Sequence, residues 1–209
     1  MWMKTDAYWN HNSAYHRWIL KHAKGRSLVL DVGCGDGLLV QKLSRICNHV
    51  VGIDPHGPCI ETAKRRLAET GNVSLIETDF ETYEESPNSF DMIVFVASLH
   101  HMDQAWGMEK AKQLLAPDGL LLVVGCACPH GLADWCMEML RVIPAKIGSY
   151  IHGEKNGGNV GASVAAPTLP LKEIQTICRY HCPGAKIRPG LYYRYLLLWV
   201  KPIIWQKSI

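Results

Sequence analysis

The chain carries no Cys-x-x-Cys pair, although eight cysteines are spread through its 209 residues. A chain this long needs no disulfide staples, so the thiols read as reduced, as in a cytoplasmic protein. It has no apolar run approaching the length that crosses a bilayer, and its opening "MWMKTDAYWNHN" lacks the apolar stretch of a signal peptide. A membrane partner is therefore not expected. Strong charge of either sign is missing too: 22 basic and 19 acidic residues leave a formal +3. The densest basic cluster is Lys64-Arg65-Arg66, which reads as a solvated helix face rather than a nucleic-acid footprint. Internal repeats and low-complexity stretches are absent.

What is present is a core. With 48% hydrophobic residues, the chain suffices for one domain over 1–209 and is too short for two full ones. A monomer or homodimer is expected. Ala14, Tyr15, Trp18, Ile19 and His22 recur at spacings of three and four, predicting an amphipathic helix over 10–24. "SLVLDV" at 27–32 reads as a buried strand. The alternation continues with a helix at 37–46, a strand at 49–54 and a helix at 57–70 stopped by Gly71. Strands follow at 73–78, 90–97 and 120–126, with helices at 103–116, 132–142 and about 170–181. Residues 143–167 are rich in Gly, Ala and Pro and predict an irregular loop, five glycines lying between Gly148 and Gly161.

Strands alternating with helices predict a parallel sheet covered on both faces. "AKIRPG" and "YYRYLLLWVK" break the alternation, because the short connection at Pro189-Gly190 permits only an antiparallel hairpin. The expected fold class is α/β, a Rossmann-like doubly wound sheet of seven strands, mostly parallel with the last strand antiparallel.

Between the first strand and its helix stands "LDVGCGDG", residues 30–37. Glycines at that turn let a ligand approach the backbone and leave N–H groups free at a helix N-terminus. The dinucleotide fingerprint G-x-G-x-x-G fails here, since its third glycine would fall at Leu38. The pattern is instead D-x-G-x-G-x-G: Asp31, Gly33, Gly35, Gly37. Asp54 ends the second strand, where a carboxylate can accept bonds from both hydroxyls of a ribose. Asp79 and Phe80, in "ETDF", follow the third strand, and "LLAPDGLLLVV" leads into the fifth. Taken singly, Asp54 and Asp79 could also be helix caps or solvated loop residues.

In this order and spacing, the features resemble the class I S-adenosylmethionine-dependent methyltransferases, in their small-molecule, type 11-like branch. The resemblance covers residues 28–126 by motif and the last two strands by topology. It implies S-adenosylmethionine as cofactor, with the Gly33–Gly37 loop under its methionine part and Asp31 holding its amino group directly or through water. It further implies Asp54 on the ribose, Asp79 on the adenine amino group and Phe80 flanking the ring. The same comparison adds Cys34, Asp36, Pro55, Val96 and Ala97 to the cofactor's surroundings.

The residues after the fourth strand border the reacting centre in this family, and here they read "VASLHHM". An Asn/Asp-Pro-Pro-aromatic stretch, a glutamate pair and a set of magnesium carboxylates are all missing. That argues against amino-methylating DNA enzymes, protein arginine methyltransferases and metal-dependent catechol-type enzymes. The adjacent histidines resemble the Leu-His-His stretch of small-molecule methyltransferases. His101 occupies the place of the catalytic histidine of phosphobase methyltransferases, with His100 beside it and Tyr8 and Tyr15 as possible partners. Histidine can accept a proton near neutral pH; alternatively one or both histidines cap or pack on the following helix.

"CACPH" offers Cys126, Cys128 and His130, but no fourth ligand stands at recognisable spacing. No metal is expected, and thiols lining the pocket floor are the plainer reading. Tyr192, Tyr193, Tyr195 and Trp199 read as core and sheet surface. The C-terminal third resembles one widespread branch of the family without naming a substrate. Specificity is expected in 1–24, as an N-terminal lid helix, and in 127–168, as an acceptor-side insertion whose 143–167 stretch would close as a flap. The expected function is methyl transfer to oxygen or nitrogen of a small-molecule acceptor, the alternative being a non-catalytic S-adenosylmethionine-binding sensor or partner subunit. NAD-dependent oxidoreduction is disfavoured by the glycine spacing and by the lack of Tyr-x-x-x-Lys, since Glu154 follows Tyr150 and Lys155 falls one place too far.

Overall fold

A computed structural model describes residues 10–128, 166–191 and 194–203. The expected helix at 132–142, most of the loop at 143–167, and Tyr8, His130, Tyr192 and Tyr193 lie outside the described residues.

The elements follow the hydrophobic pattern, except that the helix expected over 57–70 ends at Arg66, where the Leu67 N–H caps it on the Ala63 carbonyl, and does not run on to Gly71. A 3-10 turn at Ser13–Tyr15 leads into α1 (His16–Ala23). Then come β1 (Leu28–Val32), α2 (Leu38–Leu43), β2 (His49–Asp54), α3 (Gly57–Arg66) and β3 (Val73–Glu77). The chain continues through β4 (Phe90–Val96), α4 (Gln104–Leu114), β5 (Leu115–Cys126), α5 (Leu171–His181), β6 (Lys186–Pro189) and β7 (Arg194–Val200).

The seven strands lie in the order β3-β2-β1-β4-β5-β7-β6. β1 to β5 are parallel, whereas β7 runs antiparallel to both β5 and β6. The last strand therefore slots between β5 and β6, and the Gly190 N–H closes the hairpin on the Arg194 carbonyl at 2.7 Å. β5 begins earlier than the apolar run "LLLVVGC" suggests. Leu115 already pairs with Phe90, and the register then shifts before Met92. Asp118, at φ 63°, forms the bulge there, and its N–H and the Gly119 carbonyl both bond Lys201.

The strands sort their side chains with period two. Val29, Val50, Met92, Val94, Leu120 and Leu122 face Ile19, Leu39, Val40, Leu43 and Ile60, so α1, α2 and α3 cover one side. Leu30, Val32, Ile53, Ile93, Phe95, Leu121 and Val123 face Met108, Ala111, Leu114, Ile174 and Cys178, so α4 and α5 cover the other. Burial on both faces is why these strands read as continuous apolar runs rather than as alternating ones. The chain winds outward from β1 to β3 and then returns to β4 beside β1. Strand order reverses at β1 and β4, and a crevice opens beyond their carboxyl ends. Among the described residues no helix is long and apolar enough to cross a membrane.

Candidate active site

The loop that leaves β1 is built around two glycines with different duties. Gly33 has φ +75°, and a Cβ there would stand 2.5 Å from the Ser98 Cβ. Only a bare backbone lets the turn after β4 pack this tightly on the loop. The Ser98 hydroxyl completes the junction by donating to the Val32 carbonyl. Gly35 has φ +55°, and no atom lies within 4 Å of where its Cβ would be. It lines the cavity with naked backbone.

Three carboxylates gather near this loop. Asp54 at the end of β2 accepts from the Gly35 N–H (2.9 Å) and the His56 N–H (2.9 Å). It thus ties the glycine loop to the second strand while still lining the cavity. Asp31 is 1% exposed, and its Oδ2 has no hydrogen-bond partner among the described residues. Burial, and then the nearby Asp54 carboxylate, push its pKa up to about 8. Asp79 accepts from the Thr82 N–H (2.7 Å) and hydroxyl (2.9 Å), which hold its pKa below the ordinary value. It caps its own turn and also lines the cavity. Phe80 is 2% exposed and stands edge-on to Phe95 and Trp106 at 5.4 and 6.0 Å. A rigid aromatic wall results.

β4 ends in strained backbone. Ala97 sits at φ 53°, fixed by its N–H donating to the Val124 carbonyl at 2.8 Å. Non-glycine residues held there cluster at functional sites. Leu99–His101 then make one 3-10 turn, closed by the His101 N–H on the Ser98 carbonyl at 3.0 Å. The His100 and His101 rings lie 4.3 Å apart, and both line the cavity. Neither caps α4. Asp103 does so, accepting from the Trp106 N–H at 2.8 Å.

The far wall comes from the ends of β5 and β7 and from the chain before α1. Cys126, Ala127, Cys128, Ala166, Pro167, Arg194 and Asn12 all line it. The two thiols therefore form part of the floor, as expected. Among the described residues no three His, Cys, Asp or Glu side chains gather as metal ligands. Arg194 donates to Asn12 Oδ1 at 2.7 Å. Tyr15, expected as a partner for the histidines, is engaged elsewhere: its hydroxyl donates to the Leu191 carbonyl at 2.8 Å. It latches the N-terminal segment onto the β6–β7 turn.

The cavity measures about 950 Å³. It brings together Gly33, Gly35, Asp54, Pro55, Asp79, Phe80, Val96, Ala97, His100 and His101. Three expected residues are not on its lining. Asp31 lies in the buried floor behind the loop. The Cys34 side chain packs near Gly52, where a Cβ would meet its sulfur at 3.0 Å. Asp36 turns to Arg66, 2.7 Å away, and fixes the loop to α3. Sequence reasoning missed Asn12, His56, Ser98 and Arg194. His56 lines the cavity, and its Nδ1 has no partner among the described residues.

These features suit a nucleoside cation. The space is at the upper end of small-molecule pockets. The carboxylates at the loop end favour positive charge, and the orphaned Asp31 Oδ2 is an acceptor that a ligand ammonium would complete.

Comparison with known proteins agrees. The family described as "Methyltransferase domain" matches residues 29–119. An uncharacterized methyltransferase of Mycobacterium tuberculosis is 30% identical over 200 residues, covering 95% of this chain and 100% of that protein. A ubiquinone biosynthesis O-methyltransferase of Chelativorans sp. is 32% identical over 97 residues, 46% of this chain and 38% of that protein. The solved structure of N-methyltransferase NodS from Bradyrhizobium japonicum, in complex with S-adenosyl-L-homocysteine, shares the fold. Its TM-score is 0.62 at 17% identity, over 96% of this chain and 92% of that one. The chain belongs to the class I S-adenosylmethionine-dependent methyltransferases. It is an enzyme, with S-adenosylmethionine as its cofactor.

Proposed function

We propose that the enzyme methylates an oxygen or nitrogen of a small-molecule acceptor, with His101 as the general base. The observation that carries this is one cavity lined both by Gly33 and Gly35, after β1, and by His100 and His101, after the neighbouring β4. The bound cofactor supplies a methyl group already activated by its sulfonium.

The chain's own residues supply binding, alignment and proton removal. The bare Gly35 backbone admits the methionine part, and Asp31 behind the loop accepts from its ammonium directly or through water. Asp54 takes the ribose hydroxyls with the lone pairs left over from Gly35 and His56. Asp79 receives the adenine amino group against the Phe80 wall. Val96 and Ala97 border the path toward the acceptor. His101, exposed on its side of the turn, accepts the acceptor's proton, and His100 packs against its ring. The protein's part of the task is positioning and proton removal. Seven described cysteines are free thiols, which suits a reducing, cytoplasmic setting.

The test is release of S-adenosylhomocysteine in the presence of a panel of phenols, carboxylic acids and amines. With the best acceptor, His101→Ala should lower kcat by about a hundredfold or more while cofactor affinity stays within about threefold. An unchanged rate would assign His101 to structure.

A further inference from the structure

The cavity has two electrical ends. Among the described residues its lining carboxylates are Asp54, at the end of β2, and Asp79 and Glu81, in the loop after β3. The end built by β5 and β7 carries Arg194, with the two histidines between the ends. Arginine stays charged at any pH a protein meets.

Arg194 is delivered by register rather than by a loop. It is the first residue of β7 and pairs with Cys126, the last residue of β5. Antiparallel insertion of β7 thus sets a side chain from the start of one strand at the carboxyl edge of the others. Its position is braced from both sides. Nη2 donates to Asn12 at 2.7 Å, and Asn12 is fixed in turn by its N–H donating to Asn10 Oδ1 at 3.1 Å. The Tyr15–Leu191 bond and the tight contact of Tyr15 with Gly190, whose Cβ would stand 2.6 Å from the hydroxyl, hold the same hairpin to the same segment. Burial raises the Cys126 thiol pKa, and the Arg194 guanidinium beside it draws the value part of the way back. The guanidinium therefore sits against the cavity floor.

We propose that Arg194 anchors an anionic group, a carboxylate or a phosphate, on the methyl acceptor. This deepens the proposed function and rests on its reading that donor and acceptor share the cavity. A planar fork of donors suits either oxyanion and can grip it with two bonds. Opposite poles would also sort the ligands: the cationic donor settles at the carboxylates, and the anionic acceptor settles at β5 and β7. Asn12 becomes a specificity residue, because it orients the guanidinium without cancelling its charge.

The test uses the full chain saturated with S-adenosylhomocysteine and two matched probe pairs, 4-hydroxybenzoate against 4-hydroxybenzamide and phenyl phosphate against phenol. Calorimetry on the wild type should show one anion binding about tenfold or more tighter than its neutral mate, and the pair that does so tells carboxylate from phosphate. Arg194→Gln should bring that ratio to about one, and Arg194→Lys should keep only part of it, because the charge stays while the two-bond fork is lost. Asn12→Asp should also erase the preference, since it sets a carboxylate against an intact arginine. S-adenosylhomocysteine affinity should stay within about twofold in every variant, which reports an intact fold. Equal binding of anions and neutrals to the wild type would overturn the proposal. So would a preference that survives both Arg194→Gln and Asn12→Asp, or no binding of either anion at millimolar concentration. Failure of the wild type to bind S-adenosylhomocysteine would instead overturn the donor half of the proposed function.

Discussion

Replacing Asp31 with Asn should remove a proton from the cofactor-binding equilibrium. Asp31 is buried at the end of β1, and its pKa is raised from 3.8 to about 8 by burial and then by Asp54. Cys34, the other titratable group facing it, is pushed far upward by its own burial and stays a neutral thiol. A rise of that size sets on the order of 5 kcal/mol against charging Asp31 in the free protein. The unfolded chain ionises this group above about pH 4, whereas the folded chain keeps the proton until about pH 8. The free protein's stability should therefore fall as pH rises through that window, and Asp31→Asn should flatten the slope. Cofactor binding works the other way, because an ammonium and a sulfonium favour the ionised carboxylate. At pH 6.5 nearly every free molecule holds the proton, and an α-amino group on the ligand is already charged, so binding should release about one proton. Affinity should rise by up to about tenfold per pH unit and level off above pH 8. Calorimetry of S-adenosylhomocysteine binding in two buffers of different ionisation enthalpy counts the proton directly. Asp31→Asn should release none, and at pH 8.5 should bind more weakly by about 1.5–3 kcal/mol through loss of a charge-assisted bond. No proton release at pH 6.5, with affinity flat from pH 6 to 8, would refute the reasoning.

Two glycines two residues apart should respond differently to the same change. Gly33→Ala drives a methyl into Ser98 at 2.5 Å, so thermal melting should show a loss of about 3 kcal/mol or more. Gly35→Ala meets open cavity, so the melt should drop by only about 1–2 kcal/mol of backbone strain while cofactor affinity falls more than about tenfold. Equal melts for the two variants would contradict the assigned duties. Asp54→Ala should weaken cofactor binding by about 1–3 kcal/mol in calorimetry, since ribose contacts and the Gly35 tether are lost together.

How much of this is legible in the sequence depends on how far apart the partners lie in the chain. The order of strands and helices can be read because each is specified locally, by apolar runs and by "VGCGDG". The bounds of β2 agree to the residue, since His49 and Asp54 flank an unbroken apolar core. The glycine loop is legible for the same reason: all its special conformations fall within five residues. Tyr15 misleads because its hydroxyl partner, Leu191, lies 176 positions away. Ser98 escapes notice because its duty is to fit against Gly33, and no periodicity announces a serine that must touch a glycine from another strand. Asp36 carries the motif's acidic character in sequence, yet its charge is spent on Arg66 of α3, thirty positions on.

Arg194 shows the limit most clearly. In "YYRYLLLWVK" it is one cation beside aromatic residues, and nothing local separates it from a solvated strand end. Its meaning arises from the insertion of β7 between β5 and β6, which pairs it with Cys126, and from Asn12 at the opposite end of the chain. The part of the cavity proposed for the cofactor is assembled from consecutive β–α turns, β1–α2, β2–α3 and the turn after β3, so its chemistry can be read in order. The part proposed for the acceptor is assembled from Asn12, the last hairpin and the end of β5, segments far apart in the chain. A common donor can be served by a local motif, whereas an acceptor particular to one enzyme is met by residues free to vary one at a time. Mutational effects should divide along the same line. Changes in the β1–α2 loop should disturb cofactor affinity for any acceptor, and changes at Arg194 or Asn12 should alter which acceptor is used while leaving S-adenosylhomocysteine binding in place.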